Sequence, residues 1–260
     1  MKHVAGIILA AGKGTRLNGG TPSPIPKVLN RLLDKPIIDY PIQTLSKIGL
    51  EEIIIVVGYR AEDVKDELGP QFKYALQEEQ LGTGHAVAQG MPQISGDIKT
   101  VLVLNGDDSA FYHTKTLTNL IEMHEKEGAK MSVLSLKMRH PMEYGRILRG
   151  KAGTVCGIVE AREATPEQLK IREINTGTYC FNANWLKENI KKISLHEQKN
   201  EYYLTDLLAV ACKQNDKISA HLIKNQNEWV GINTTEQLEY AKKAMSERLR
   251  KRGLLSILKK

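Results

Sequence analysis

The residues best suited to chemistry begin at position 12. Gly12-Lys13-Gly14-Thr15-Arg16 follows directly on the apolar run of residues 4–10, and Pro26-Lys27 comes shortly after. A glycine-spaced turn between a strand and a helix points backbone N–H groups at an anion, phosphate above all. Arg16 can fork two phosphate oxygens. Lys27, preceded by the fixed backbone of Pro26, can add a point charge. The turn is neither of the two common nucleotide loops. It lacks the G-x-x-x-x-G-K-[ST] spacing. It also breaks G-x-G-x-x-G, because Leu17 stands at the third position after Gly14 and the next glycine is Gly19. A P-loop kinase and a dinucleotide oxidoreductase are both disfavoured, which leaves a phosphate cradle or a plain tight turn. No Ser/His/Asp or Cys/His arrangement stands out, and the seven histidines show no HExxH spacing. The three cysteines, Cys156, Cys180 and Cys212, form no CxxC pair, so neither a disulfide framework nor a zinc site is indicated.

Elements that could hold such residues alternate along the first half of the chain. Residues 4–10, 53–57, 101–104 and 131–136 are continuous apolar runs, the pattern of strands covered on both faces. Helix-period segments lie between or beside them at 37–48, 61–68, 85–91 and 116–127. This alternation predicts an α/β fold with a doubly wound, mostly parallel, Rossmann-like sheet. Beyond about residue 140 the pattern turns β-like at 146–149, 155–160 and 171–181, which reads as an antiparallel, β-rich insertion beside that sheet. Helices follow at 185–193, 203–213 and from about 235. The domain reading is 1–240 as one nucleotide-handling unit and 241–260 as a basic amphipathic tail.

The 260 residues suffice for a sizeable core. No apolar stretch approaches the ~20 residues a membrane-spanning helix needs, and the N-terminal run leads into the GKGTR turn rather than a cleavage site. Cysteine usage makes a reducing cytoplasm the default. The net charge of +7 is carried by the tail, where eight Lys or Arg from Lys242 to Lys260 face one acid, Glu247. Residues 1–239 are therefore neutral, and a nucleic-acid partner is not indicated.

The ordered motifs carry a resemblance. L-A-A-G-K-G-T-R-L followed by Ile25-Pro26-Lys27-Val28-Leu29 resembles the signature of sugar-1-phosphate nucleotidyltransferases. The segment LQEEQLGTGHAV at 76–87 resembles the uracil-reading segment of the bifunctional uridylyltransferase/acetyltransferases of that family. Asn105-Gly106-Asp107, Tyr144-Gly145-Arg146-Ile147, Gly157-Ile158-Val159-Glu160, the EINTG of 173–177, the NEYYLTD of 200–206 and Gly231-Ile232-Asn233 match in order. The match covers most of residues 3–240.

The resemblance implies nucleotidyl transfer from UTP to a sugar 1-phosphate, with N-acetylglucosamine 1-phosphate the best match, and Mg²⁺ as cofactor. It implies that Leu9, Ala10, Ala11 and Gly12 run along the nucleotide and that Gly14, Thr15 and Arg16 embrace its outer phosphates. Arg16 and Lys27 are the expected catalytic residues. Gln77, Gln80, Gly82 and Thr83 would form the base pocket, and Asp107 and Asn233 the metal site. Asn105, Gly145, Glu160 and Asn175 would grip the sugar. Each has a plainer reading. The glutamines could begin a helix, and Asp107 or Asn233 could cap one. Glu160 and Asn175 could face solvent on strands, and His85 reads as structural.

Departures mark where specificity is open. Residues 17–26 are longer than in the bifunctional enzymes and read as a lid-like loop. Asn105 replaces a usual Tyr, Asp108-Ser109-Ala110 replaces Val-Pro-Leu, and Val230 replaces an acid. The hexapeptide repeats of the acetyltransferase are absent, so no acetyl transfer is expected. The tail reads as a solvated helix packing on the domain or on a second subunit in a homo-oligomer. Weak contact with an anionic membrane surface is the alternative. Two other functional readings stay open: another base or phosphorylated alcohol, and a non-catalytic sensor of nucleotide sugars.

Overall fold

The computed structural model describes residues 1–251 and 253. Its elements run β1 (Val4–Ala10), β2 (Arg31–Leu32), β3 (Lys35–Pro36), α1 (Asp39–Ile48), β4 (Glu52–Val57), α2 (Ala61–Leu68), β5 (Lys73–Leu76), α3 (Gly82–Gly90), β6 (Thr100–Asn105) and α4 (Thr114–Glu127). They continue with β7 (Met131–Lys137), β8 (Arg146–Arg149), β9 (Val155–Val159), α5 (Pro166–Leu169), β10 (Glu173–Asn182), α6 (Ala183–Asn189), α7 (Asp206–Lys213), β11 (Ile218–Ile223) and α8 (Thr235–Lys251).

The apolar runs form strands because both of their faces are buried. Along β1, Ala5 and Ile7 enter one core while Val4, Ile8 and Ala10 enter the other. The same alternation divides Ile54 and Val56 from Ile55 and Val57 on β4, and Val101 and Val103 from Leu102 and Leu104 on β6. This is the period of two of a pleated strand between two helical layers. On one face lie α3, α6 and α7, with Val87, Leu186 and Leu207 fully buried. On the other lie α1, α2 and α4, with Leu45, Val64 and Leu117 fully buried. The doubly wound α/β arrangement expected from the sequence is present.

The main sheet has the order β11-β7-β10-β6-β1-β4-β5. β1 pairs parallel with β4 and β6, β4 with β5, and β7 with β11. One expectation needs correction. The β-rich stretch does not lie wholly beside the sheet: its last strand, β10, inserts antiparallel between β6 and β7. Tyr179 and Phe181 enter one core and Ile174 and Cys180 the other, so both faces of β10 are buried there. The β8–β9 hairpin then hangs from β10 through the pairing of Ile174 with Arg146.

A third, smaller core joins Leu32, Ile37, Ala110, Phe111 and Ile232 to Leu238, Ala241 and Met245 of α8. The boundary expected at residue 240 therefore falls inside a continuous helix that is packed on the body on both sides of it. Arg248 fastens the same helix, donating from Nη1 to the Phe111 carbonyl at 2.5 Å. Arg252 and residues 254–260 of the expected tail lie outside the described residues. Among the described residues no helix is long and apolar enough to cross a membrane.

Candidate active site

The carboxyl ends of β1 and β6, with the amino-terminal half of the antiparallel β10, open into a cleft of about 1530 Å³. Open α/β sheets place their ligand sites at this edge, where loops replace the paired backbone. Leu9, Ala10, Ala11, Gly12, Thr15 and Arg16 line it, as do Lys27, Gln77, Gln80, Gly82 and Thr83. So do Asn105, Asp107, Gly145, Glu160, Asn175 and Asn233. Gly14 is the exception among the expected residues. It takes a left-handed φ of +65°, and a Cβ there would stand 3.0 Å from the Cβ of Lys27. Its bare backbone lets the basic turn close over Lys27.

Lys27 is the pivot of this end. It is buried, and its Nζ donates to Asp107 Oδ2 and to Asn233 Oδ1, the latter at 2.9 Å. The cap readings of both partners fall away. Asp107 turns to Lys27, and α4 begins later, at Thr114. Thr234, not Asn233, caps α8, its hydroxyl accepting from the Gln237 N–H at 3.3 Å. Gln237 Oε1 in turn accepts from the backbone N–H of Asn233 at 2.6 Å, which leaves the Asn233 side chain free to face the cleft. Two hard oxygens thus converge on one cationic group. Such a donor set suits Mg²⁺, which takes one or two protein oxygens and fills its shell with phosphate and water. Among the described residues no group of three or more His, Cys, Asp or Glu side chains converges, so a metal here would need substrate oxygens.

Arg16 stands at the mouth, half-exposed, 3.8 Å from Glu143 Oε1 across the cleft. The long loop behind it is tethered rather than loose. Tyr59 Oη donates to the Ser23 carbonyl at 2.9 Å, and Arg60 to that of Pro24.

Gln77 and Gln80 sit between β5 and α3 and do not begin a helix. Gln77 is buried, and its Nε2 donates to the Gly82 carbonyl at 3.0 Å. Gln80 Nε2 donates to the Gln77 carbonyl at 3.1 Å. In both, the carboxamide oxygen is the atom left over. His85 packs beside the Gln77 amide, its Nδ1 3.1 Å from both Gln77 Nε2 and the Glu79 carbonyl. Thr83 Oγ1 accepts from the Leu204 N–H at 3.0 Å, tying α3 to the segment before α7.

At the far end, Glu160 and Asn175 face the cleft and not bulk solvent. Burial, and then Glu163, push the Glu160 carboxyl above its usual range. Asn175 Nδ2 donates to Tyr179 Oη at 2.6 Å and its Oδ1 accepts from the Gly177 N–H at 3.0 Å. Asp108, which no motif singled out as a site residue, also lines the cleft. So does Trp229, packed edge-on against Tyr144 with ring centres 4.8 Å apart. No spacing in the sequence joins these residues; only the fold brings them together.

A basic turn follows the first parallel strand of this α/β protein, and a lysine, a carboxylate and an amide oxygen meet beside it. Residues 5–248 match the nucleotidyl transferase family, and the chain belongs to that family. It is 40% identical over 258 residues to the bifunctional protein GlmU of Pelobacter propionicus, an alignment covering 98% of this chain and 55% of that protein. It is 41% identical to GlmU of Heliobacterium modesticaldum, over 95% of this chain and 53% of the relative. The chain thus spans about half the length of these curated relatives. A crystal structure of UDP-glucose pyrophosphorylase complexed with UDP-glucose superposes with a TM-score of 0.79 at 21% identity, covering 95% of this chain and all of that one. That likeness is one of fold.

Proposed function

We propose that this chain transfers a uridylyl group from UTP to a sugar 1-phosphate in a Mg²⁺-dependent reaction, with N-acetylglucosamine 1-phosphate as acceptor, and that it works in the cytoplasm. The observation that carries the reading is the meeting of Lys27, Asp107 and Asn233 beneath the Gly12–Arg16 turn, at one end of a cleft whose other end is lined by Gly145, Glu160 and Asn175. The likeness to the bifunctional GlmU proteins, with the resemblance of residues 76–87 to a uracil-reading segment, supports this reading.

In the proposed reaction an oxygen of the sugar 1-phosphate attacks the α-phosphorus of UTP, the bond to the bridging oxygen breaks, and pyrophosphate leaves in line. The attacking phosphate is already a nucleophile, so the protein's part is to align two anions and to screen their charge. Lys27 is the group to touch phosphates of both substrates, and Arg16, at the mouth beside Glu143, balances charge on the departing pyrophosphate. A bound Mg²⁺, held by Asp107 and Asn233, would supply Lewis-acid neutralisation of the phosphate oxygens. With Gln77 Nε2 given to the Gly82 carbonyl, Gln77 Oε1 is left as an acceptor. An acceptor suits the N3–H of uracil and not the bare N3 of cytosine.

Pyrophosphate release across UTP, dTTP, CTP, GTP and ATP, against a panel of sugar 1-phosphates, tests this. UTP with N-acetylglucosamine 1-phosphate is expected to give the strongest signal. Strong release with another pair would keep the reaction and replace the stated substrates. Silence with every pair would overturn the enzyme reading in favour of a binding protein.

A further inference from the structure

Directly after Asp107 the chain turns a second carboxyl, that of Asp108, into the cleft. Asp108 Oδ2 accepts from Asn105 Nδ2 at 3.1 Å, and Oδ1 from the Ser109 hydroxyl at 3.2 Å. A carboxyl group offers about four lone-pair positions, so roughly half of its capacity remains open to the cleft. Among the described residues no Lys, Arg or His forms an ion pair with it.

The corner depends on a bare backbone opposite. Gly177 has a φ of +75°, and a Cβ there would lie 2.3 Å from Asn105 Nδ2. Any side chain at 177 would expel the amide that steadies Asp108. Asn175, on the same strand, has both ends of its amide engaged within β10, which makes this wall rigid. The corner lies between the phosphate-handling end, through its neighbour Asp107, and the Asn175 wall. An acceptor whose phosphate reaches Lys27 must lay its ring past this corner.

We infer that Asp108, braced by Asn105 over Gly177, is the acceptor-selecting residue of the cleft and takes a hydroxyl of a neutral sugar ring. The inference rests on the sugar 1-phosphate reading given above. A hydroxyl both gives and takes a hydrogen bond, so it suits oxygens that already receive one N–H and one O–H. A ring bearing an added acid would crowd a further charge against Asp107 and would not offer the hydroxyl that Asp108 takes.

The test uses the full chain with UTP, N-acetylglucosamine 1-phosphate and its monodeoxy analogues, comparing wild type with Asp108→Ala and with the near-isosteric Asp108→Asn. The wild type is expected to lose about ten- to hundredfold in kcat/KM for the analogue lacking the hydroxyl that Asp108 reads. In Asp108→Ala that penalty disappears, the acceptor KM rises about tenfold or more, and the UTP KM stays within twofold. Equal penalties in wild type and variants at every ring position would overturn the inference, as would a shift in UTP KM as large as that of the acceptor. Should Asp108→Ala fail to fold, the same comparison with Asp108→Asn decides. Absence of turnover by the wild type with every acceptor is a different failure: it removes the proposed function, and this inference with it.

Discussion

Lys27 illustrates how one side chain can be read at the residue scale. Its ammonium is almost wholly withdrawn from water, and a buried charge persists only when it is paired. Asp107 and Asn233 provide that pairing. Lys27→Ala is expected to lower kcat about a hundred- to a thousandfold, the scale seen when one preorganised charge-stabilising group is lost, with the circular dichroism spectrum unchanged. Turnover that survives this substitution would show that Lys27 is not catalytic. Asp107→Ala is expected to abolish the response of the rate to Mg²⁺ and the binding of Mn²⁺ followed by electron paramagnetic resonance in the presence of UTP. A retained Mg²⁺ response would place the metal elsewhere.

At the scale of elements, the contact between α4 and β7 makes stability depend on pH. His124 of α4 is buried, with Nδ1 2.9 Å from the Ser132 hydroxyl of β7. Burial pushes its pKa down from 6.5 to about 4. Below pH 6.5 the unfolded chain takes up a proton that the folded chain refuses until about pH 4. Unfolding is therefore favoured as pH falls through that window, while above it the group has no effect. His221 on β11, desolvated and close to Lys224, shifts in the same direction. The urea midpoint of wild type is expected to fall between pH 7 and pH 5 more steeply than that of His124→Gln. Parallel slopes would remove His124 from the account. The same scale explains why α8 belongs to the body: Ala241 and Met245 fill the pocket left by the β2–β3 hairpin and Phe111.

For the whole molecule, charge and fold are separable. Residues 1–239 are neutral and the excess of +7 follows them. Its helical part, up to Lys251, is docked on the third core through its apolar face. Truncation after Lys251 removes Arg252, Lys259 and Lys260 together with the leucines between them. Pyrophosphate release and melting temperature are expected to stay at wild-type values, because the buried residues of α8 all remain. Co-sedimentation with anionic vesicles is the measurement for a membrane role: unchanged sedimentation on truncation would exclude the tail as a membrane contact.

The sequence by itself determined what is local. Strands buried on both faces declare themselves as apolar runs, and a glycine-spaced basic turn after the first of them raises the expectation of a phosphate site, because both signals are set by neighbours a few residues apart. Ordered motifs then assigned roles to residues such as Gln77 and Asp107 that no single spacing would have singled out. The tertiary structure alone decided which distant residues meet. Asn233 reaches Lys27 from 206 positions away, and it does so because Thr234 takes over the cap of α8. The insertion of β10 between β6 and β7 is a pairing with strands distant in the chain, invisible within the ten residues of β10 itself. The Asn105–Asp108–Gly177 corner joins the end of β6 to a strand far along the chain. Contacts of that range depend on chain topology and not on local pattern, and it is there that we place the choice of the proposed acceptor.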